Sequence, residues 1–453
     1  MIKKKLLLLS LTLSSALFSW DKFSEQWPWE TLNIEAISFK PEFLFGAAIC
    51  EFQNSGDTLV NSNWNRWQNS FDAHGKPHIK NGQKSGKSCD FWHNYKQDIK
   101  LIKEFGLKSL RFSIDWSMIE PKQGEFNQEA LAHYHDLCDE LIQAGITPMV
   151  TLHHFTHPIW FEDLGGFEFE KNIRYFIRFS EFIFKEFHEK VSLWCTINEP
   201  GIYTFMSYLL GAFPPGKVKP LVAYQVLKNL LQAHVETYQA LKKLPGGDKA
   251  QIGFAHQHLV FEPYHKINIL DYLVPKFFNP LITEKIFEFF KTGKFEYSLS
   301  DIVTISYEAP ENQKLLDFIG LNYYSRVLIN WFTPSCRPHE IMTDMPYPIF
   351  AEGFYHAIAK MAELQVPIYI TENGIADKDD NRRELWLKRY LFALYQAIQD
   401  NYDVRGYYYW SLIDNFEWDM GFEPKFGLYQ VNFETQERAL RSSSRYFSQL
   451  LKN

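Results

Sequence analysis

Eight short apolar runs with β-strand character recur along this chain, and amphipathic helical stretches lie between several of them. Neighbouring parallel strands need long crossover connections, which helices usually provide. The alternation predicts an α/β fold, a single (β/α)8 TIM barrel, and 453 residues is a length that such a barrel reaches as one domain. The predicted strands are Phe43–Ile49, Lys108–Ile114, Ile146–Leu152, Val191–Ile197, Gln251–His256, Asp317–Leu321, Pro367–Thr371 and Gly406–Trp410.

The helical stretches support this pattern, because their apolar residues recur on one stripe of each predicted helix. A doubly wound sheet is the alternative, but it would normally carry a glycine-rich phosphate-binding turn, and Gly46-Ala47-Ala48 is not one. We expect the barrel domain at residues 41–453, after an irregular lead-in at residues 21–40. The predicted helices include Asp90–Phe105, Asn127–Ala144, Lys171–Glu189, Leu221–Lys243 and Asn381–Asn401.

Residues 1–20 have the pattern of a secretory signal. The basic Lys3-Lys4-Lys5 precedes the almost wholly apolar run Leu6–Phe18, which is short for a membrane span, so we expect no stable span. We expect export to the periplasm or the medium if this segment is a signal, and a cytoplasmic location otherwise. Ala16-Leu17-Phe18 replaces the usual Ala-x-Ala cleavage pattern, so an uncleaved anchor or an apolar tail is the alternative.

The charge and the composition point to a small neutral partner. The net charge is -7 and no basic run follows residue 5, which argues against binding to nucleic acid. Aromatic residues make up 17% of the chain, and aromatic faces suit the apolar faces of a pyranose ring. We therefore expect a small-molecule carbohydrate as the partner, and the sequence leaves the oligomeric state open.

The sequence lacks the patterns of other common chemistries. His153-His154-Phe155-Thr156-His157 does not have the helical register of a zinc protease motif, because Pro158 interrupts it. The sequence contains no Gly-x-Ser-x-Gly elbow and no Walker loop, which argues against serine hydrolysis and nucleotide phosphoryl transfer. We therefore expect neither a metal nor a cofactor.

Two glutamates at strand ends form the one complete reactive pair in the sequence. Glu199 follows the fourth predicted strand, where Pro200 forces a turn, and Glu372 ends the seventh before an Asn-Gly turn. In a TIM barrel the functional side chains gather at the C-terminal ends of the strands. Glycoside hydrolysis needs one protonated carboxyl group and one ionised carboxylate in such a place. Other polar or aromatic residues at predicted strand ends are Gln53, Arg111, His154, Asn198, Asn322, Tyr324 and Trp410.

From about Phe43 to about Tyr446 the chain resembles glycoside hydrolase family 1, the β-glucosidase family. Thr196–Pro200 is similar to the acid/base motif of that family, and Ile370–Gly374 is similar to its nucleophile motif. The resemblance implies that Glu199 is the acid/base and that Glu372 is the nucleophile.

The resemblance also implies roles for the neighbours of these two glutamates. Arg111 would lie against Glu372 and help to keep it ionised, and Tyr324 would donate a hydrogen bond to it. Glu417 would accept hydrogen bonds from two hydroxyl groups of the sugar. The sugar-binding residues implied in this way are Gln53, His154, Asn198, Asn322, Trp410, Glu417 and Trp418.

The chain departs from the pattern of the family in two motifs. Asn54-Ser55-Gly56 stands where the family usually has an apolar residue and a glutamate, and Phe155-Thr156 replaces the more usual Trp-Asp. The segment from Tyr324 to Pro367 is short for the family. We therefore expect an open cleft on the side of the leaving group.

We predict a retaining β-glycosidase that removes terminal neutral β-linked sugars from oligosaccharides or from aryl and alkyl glycosides by double displacement. A 6-phospho-β-glycosidase is one alternative, and family members of that kind carry small and basic residues in place of Asn415–Trp418. An inactive sugar-binding module on the same fold is the other, and it would be expected to lose one of the two glutamates. Glucose, galactose, fucose and mannose all stay open as the sugar released.

Overall fold

Eight parallel strands close into a barrel in the computed structural model, which describes residues 26–56, 61–300 and 303–452. In chain order the strands are β1 (Leu44–Ala48), β2 (Ser109–Ser113), β3 (Thr147–His153), β4 (Leu193–Asn198), β5 (Gln251–Gln257), β6 (Val260–Pro263), β7 (Lys294–Ser300), β8 (Val303–Glu308), β9 (Phe318–Asn322), β10 (Arg326–Asn330), β11 (Thr333–Ser335), β12 (Ile368–Asn373), β13 (Val404–Trp410), β14 (Tyr429–Val431) and β15 (Arg438–Leu440). The barrel order is β1-β2-β3-β4-β5-β9-β12-β13, after which β13 pairs with β1. The eight predicted strands and the TIM barrel are thereby confirmed.

Helices connect the barrel strands and cover their outer side. They are α1 (Glu51–Ser55), α2 (Asn63–Gln68), α3 (Phe91–Phe105), α4 (Trp116–Ile119), α5 (Gln128–Gln143), α6 (Ile159–Asp163), α7 (Ile173–Phe187), α8 (Pro200–Thr204), α9 (Pro220–Lys242), α10 (Ile269–Asn279), α11 (Lys285–Thr292), α12 (Ala351–Ala362), α13 (Arg383–Gln399) and α14 (Arg445–Lys452). The five helices that the sequence predicted are α3, α5, α7, α9 and α13, and each differs from its prediction by one or two residues at an end.

Helix α3 shows how the sequence sets these boundaries. Tyr95, Ile99 and Ile102 recur at helical spacing and are buried, as the apolar stripe predicts. Gly106 then ends the helix with a φ of 101°, a left-handed conformation that glycine adopts without a steric penalty. The chain returns from there into β2.

The strands that carry the two glutamates are irregular close to their C-terminal ends. The register between β4 and β5 shifts between Cys195 and Asn198, and β12 shifts against β13 between Ile370 and Asn373. Such bulges redirect side chains and are common beside active sites. They lie immediately before or at the two glutamates, so they help to determine where the two carboxyl groups point.

Smaller sheets lie outside the closed barrel. β6 follows β5 directly and pairs in parallel with β10, and β11 pairs with β10 as a hairpin. The pairs β7–β8 and β14–β15 form two further antiparallel ribbons.

Residues 26–40 run along the outside of the barrel without helix or strand. Trp27 and Trp29 both donate hydrogen bonds to Glu352 and pack on Phe392. The signal-like segment, residues 1–20, lies outside the described residues. Among the helices of the part that the structure describes, none is long and apolar enough to cross a membrane.

Candidate active site

Ten of the eleven site residues named from the sequence lie at the C-terminal end of a barrel strand or in the segment that follows it, and Arg111 lies in the middle of β2. Hydrogen bonds or ring contacts connect each of them to at least one other site residue. These residues are Gln53, Arg111, His154, Asn198, Glu199, Asn322, Tyr324, Glu372, Trp410, Glu417 and Trp418.

Glu372 is held by a cation and a phenol. The Arg111 guanidinium donates to Oε1 of Glu372 over 2.6 Å, and the Tyr324 hydroxyl donates to Oε2 over 2.7 Å. The arginine and the glutamate side chains are almost completely buried, so the ion pair is little screened by water. Burial raises the pKa of Glu372, but the charge of Arg111 and the hydrogen bond from Tyr324 oppose this rise. Arg111 and Tyr324 therefore favour the ionised form of Glu372 against the effect of burial.

Glu199 has a different environment, in which amide groups are the hydrogen-bond donors. Asn322 Nδ2 donates to Oε1 of Glu199 over 2.6 Å. With its amide nitrogen turned toward Glu199, Gln257 donates to the same oxygen over 2.9 Å. Burial raises the pKa of Glu199 well above its ordinary value, and the charge of Glu372 raises it further. With both donors on Oε1, the other oxygen is the one that can carry a proton.

The backbone holds Glu199 in an unusual conformation. Its φ of 42° is left-handed, which is uncommon for a residue with a side chain. The peptide N–H of Glu199 donates to Ala255 of β5, and its carbonyl accepts from Tyr203 in α8. Pro200 begins that helix, where its missing N–H costs nothing. Backbone hydrogen bonds to β5 and to α8 therefore fix the turn that carries Glu199.

Asn198 connects the two carboxyl groups. Its Oδ1 accepts from Arg111 over 2.6 Å and from Asn322 over 3.1 Å. Because Oδ1 is thereby occupied by two donors, the Nδ2 group faces His154 Nε2 at 3.0 Å and donates to it. His154 then carries its proton on Nδ1, which is buried and has no partner among the described residues. This N–H can donate to a ligand.

Gln53 and Glu417 form a second polar pair in the site. Gln53 Nε2 donates to Glu417 Oε2 over 2.9 Å, whereas the buried Gln53 Oε1 has no partner within the described residues. Burial, followed by the charge of Glu372, raises the pKa of Glu417 to about 8. Sugar hydroxyls both donate and accept, so they match an unpaired amide oxygen, an imidazole N–H and a carboxyl group.

Aromatic rings complete the site. His154 lies 5.9 Å from the ring of Trp410 and 6.2 Å from that of Trp418, measured between ring centroids. Trp418 also packs on Phe155 at 5.3 Å. Phe155, which stands where the family usually has tryptophan, thus supports Trp418.

Two functional residues were missed from the sequence. Gln257 was missed because the fifth predicted strand stopped at His256, one residue before the observed end of β5. Tyr347 lies in the loop before α12, and burial, followed by the charge of Glu417, raises its pKa. The alternation of the sequence could have indicated Gln257, whereas no pattern in the sequence indicates Tyr347.

The two departures from the family motifs meet in a separate buried cluster. Ser55 donates to Glu51, and Thr156 Oγ1 donates to Asp115 over 2.6 Å. Burial raises the pKa of Glu51 to about 8, and the charge of Asp115 also raises it. Burial thus favours the protonated form of Glu51 in this cluster.

Across residues 26–56, 61–300 and 303–452, no group of three or more His, Cys, Asp or Glu side chains is placed to hold a metal ion.

Comparisons with known proteins agree with this geometry. The family model for glycosyl hydrolase family 1 matches residues 35–453. Beta-glucosidase A of Thermotoga maritima is 32% identical over 92% of this chain and 98% of its own length, and beta-glucosidase A of Acetivibrio thermocellus is 32% identical over 92% and 99%. The solved structure of the Thermotoga maritima beta-glucosidase in complex with glucoimidazole has a TM-score of 0.81 and 30% identity, over 92% of this chain and 99% of that one. A 6-phospho-beta-galactosidase of Streptococcus mutans is also similar, at 31% identity over 90% of this chain and 97% of its own length.

Proposed function

Because the chain belongs to glycosyl hydrolase family 1 and is a β-glycosidase, we propose that it acts on terminal neutral sugars by a retaining mechanism. The observation that carries the proposal is the unequal environment of two buried carboxyl groups. Glu372 contacts the Arg111 cation, whereas the donors to Glu199 are the amides of Asn322 and Gln257. An ionised group and a protonated group then stand ready in one site.

In the first step, the Glu372 carboxylate attacks the anomeric carbon while Glu199 gives its proton to the leaving oxygen. A covalent glycosyl-enzyme forms and the alcohol departs. The negative charge on Glu372 is consumed in the new bond, and Glu199 becomes the anion. Hydrogen bonds from Asn322 and Gln257 stabilise that anion.

In the second step, the ionised Glu199 takes a proton from a water molecule, which attacks the anomeric carbon. The bond to Glu372 breaks, and the carboxylate is again paired with Arg111 and Tyr324. Each step inverts the configuration once, so the product keeps the β configuration.

The surroundings of Glu417 support a neutral sugar. The acids Glu372 and Asp419 both raise the pKa of Glu417, so they lie close to it, and Gln53 is its hydrogen-bond donor. A phosphate with nearly two negative charges would enter a region of negative potential. Because burial raises the pKa of Glu417 to about 8, Glu417 and its acidic neighbours share this repulsion.

A panel of chromogenic aryl β-glycosides, with and without a 6-phosphate, tests the proposal. We expect kcat/KM to be higher for the unphosphorylated member of each pair. Glu417→Ser should narrow the difference in kcat/KM between the unphosphorylated and the phosphorylated glycoside. A higher kcat/KM for the 6-phosphosugars would favour the 6-phospho-β-glycosidase, the function named for the Streptococcus mutans relative.

We also propose a cellular location for the protein and the bounds of its catalytic domain. The basic and apolar pattern of residues 1–20 supports export, with residues 21–40 as a lead-in and residues 41–453 as the catalytic domain. N-terminal sequencing of the protein from fractionated cells of its own source tests this. An intact Met1 in the soluble cytosolic fraction would contradict export.

A further inference from the structure

A cluster of exposed apolar side chains lies on helix α10, just before this helix, and on the turn between β10 and β11. These two elements contact each other, because the Trp331 N–H donates to the Asp271 carboxylate over 3.0 Å. We call this surface the apolar face. Its members are Ile267, Ile269, Leu273, Phe277, Trp331 and Phe332, which are between 45% and 99% exposed.

The exposed side of α10 is fixed by the packing of its other side. Ile269, Leu273 and Phe277 are spaced by four residues, so they share one side of the helix. On the opposite side, Phe278 packs against the rings of Phe205 and Phe261. The apolar stripe therefore points away from the protein because the other side of the helix is anchored in it.

The turn between β10 and β11 places two aromatic rings where a tight hairpin favours small residues. Trp331 and Phe332 have φ values of 49° and 67°, and they connect the paired residues Asn330 and Thr333. Two-residue turns of this kind favour Asn-Gly, because bulky residues are strained at positive φ. Strain that is retained at an exposed position is a sign of function.

The apolar face lies at the same end of the barrel as the active site. β6, which leads to α10, begins three residues after Gln257, and β10 begins two residues after Tyr324. Gln257 and Tyr324 donate to Glu199 and Glu372, respectively. A surface that binds the apolar face would therefore meet the protein on its catalytic side.

The charges around the apolar face indicate what kind of surface binds to it. Lys266 and Lys276 are exposed beside the apolar stripe, and Asp271, the one acid in residues 265–279, is buried. Apolar and aromatic side chains flanked by lysines are typical of helices that lie in the interface of anionic membranes. Lysine is depleted where two protein surfaces pack together, which disfavours a second copy of this chain.

We propose that the apolar face docks on an anionic lipid surface and presents the active site to β-glycosides that carry a lipid aglycone. The proposal rests on the β-glycosidase function and adds a class of substrate to it. Hydrolysis of such a glycoside would release the sugar to water and leave the alcohol in the lipid layer. The remaining chemistry at Glu199 and Glu372 is unchanged.

Co-sedimentation of the full chain with lipid vesicles tests the docking. We expect binding to vesicles that contain phosphatidylglycerol and weaker binding to pure phosphatidylcholine vesicles. The combined variant Trp331→Asn/Phe332→Gly should lower the partition coefficient about tenfold or more, because two aromatic rings no longer enter the lipid. It should keep or raise Tm, since Asn-Gly relieves the strained turn, so unfolding would not explain the loss.

Matched variants at single positions separate the apolar face from other apolar surface. Phe277 and Phe71 are exposed to a similar extent, 66% and 64%, and only Phe277 belongs to the apolar face. Phe277→Ser should weaken vesicle binding, whereas Phe71→Ser should not. All variants carry residues 1–25, so equal binding by parent and variants would assign binding to another segment and overturn the proposal.

Activity measurements connect the docking to the substrate. On a soluble aryl β-glucoside, we expect the parent and the apolar-face variants to have the same kcat/KM. On a dialkyl β-glucoside embedded in anionic vesicles, the variants should be about tenfold slower. If the parent itself were inactive on both substrates, that result would instead refute the β-glycosidase function. Absence of vesicle binding by the parent, or a dimer that Phe277→Ser dissociates, would refute the lipid surface as the occupant.

Discussion

The surroundings of Glu372 and of Glu199 differ although both carboxyl groups are buried in one site. Around Glu372 the protein supplies a full positive charge from Arg111 and a phenol from Tyr324. Around Glu199 it supplies neutral amides from Asn322 and Gln257. Burial acts on both acids in the same direction, so the kind of donor decides which of them keeps the proton.

The difference also extends to the backbone. Glu199 sits in a left-handed turn between β4 and α8, whereas Glu372 lies within β12 beside a register shift. The strand aims Glu372 at the arginine on β2 across the barrel. The turn places Glu199 beside the amide side chains of Gln257 on β5 and Asn322 on β9. We propose that these different neighbours give the two strand-end glutamates their opposite roles.

The largest expected effect comes from removing the side chain of Glu372. Glu372→Gly should lower kcat/KM by about 10⁴-fold or more, even for activated aryl glycosides, because no glycosyl-enzyme can form. Azide should restore turnover and give a product of inverted configuration, as determined by NMR. Full activity of this variant would remove Glu372 from the mechanism.

The next test removes the positive charge of Arg111, which distinguishes the surroundings of Glu372 from those of Glu199. Arg111→Met should lower kcat/KM about 10²-fold or more and move the acidic limb of the pH profile to higher pH. The sign follows because Arg111 lowers the pKa of Glu372, so its loss lets the nucleophile keep its proton to higher pH. Arg111→Lys, which keeps a positive charge, is the control and should shift the limb less. An unchanged acidic limb in Arg111→Met would contradict the assigned role of the cation.

A smaller effect is expected on the side of Glu199. Gln257→Met keeps the approximate shape of the side chain and removes one donor to the Glu199 carboxyl group. The anion loses a hydrogen bond, so the pKa of Glu199 should rise and the alkaline limb of the pH profile should move to higher pH, with kcat reduced a few-fold. Gln257→Glu should move that limb in the same direction by adding negative charge. A purely structural role would change Tm without moving the alkaline limb.

The smallest effect concerns stability. The pKa of Glu417 is raised from 4.5 to about 8 in the folded protein, so its stabilising contribution is complete below about pH 4.5 and is lost as the pH rises through 8. Glu417→Gln stays neutral, so its stability relative to the parent should increase by about 1–3 kcal/mol between pH 5 and pH 8. Thermal unfolding at several pH values measures this. A Tm difference that does not vary with pH would contradict the raised pKa, and Glu51→Gln offers the same comparison outside the sugar site.

Much of this site could be predicted because its residues follow the barrel strands directly. Glu199 and Glu372 stand at strand ends that alternation and turn residues reveal. Gln257 escaped prediction because the end of a strand is set by pairing, here with Asn322 of β9, rather than by local pattern. Tyr347 escaped because it lies in the loop between β11 and α12, where no strand or helix pattern indicates its position.

The apolar face was not predicted from the sequence either. An isolated helix with the pattern of α10 could bury either side, and the packing of Phe278 on Phe205 decides which side remains exposed. The pairing of β6 with β10 joins segments about sixty residues apart and brings Trp331 beside Asp271. Such contacts are long-range, so local patterns do not contain them.

The central claim is that Glu372 carries the covalent sugar and that Glu199 acts on protons, and one measurement tests it directly. Glu199→Ala is mixed with a dinitrophenyl β-glycoside and analysed by intact-mass spectrometry and peptide mapping. Dinitrophenolate leaves without a proton, so the first step should proceed, while the second should stall without a general base. We predict an adduct of one sugar on the peptide that contains Glu372, released by azide as a β-glycosyl azide. An adduct on a peptide without Glu372, or an azide product of inverted configuration, would contradict the account.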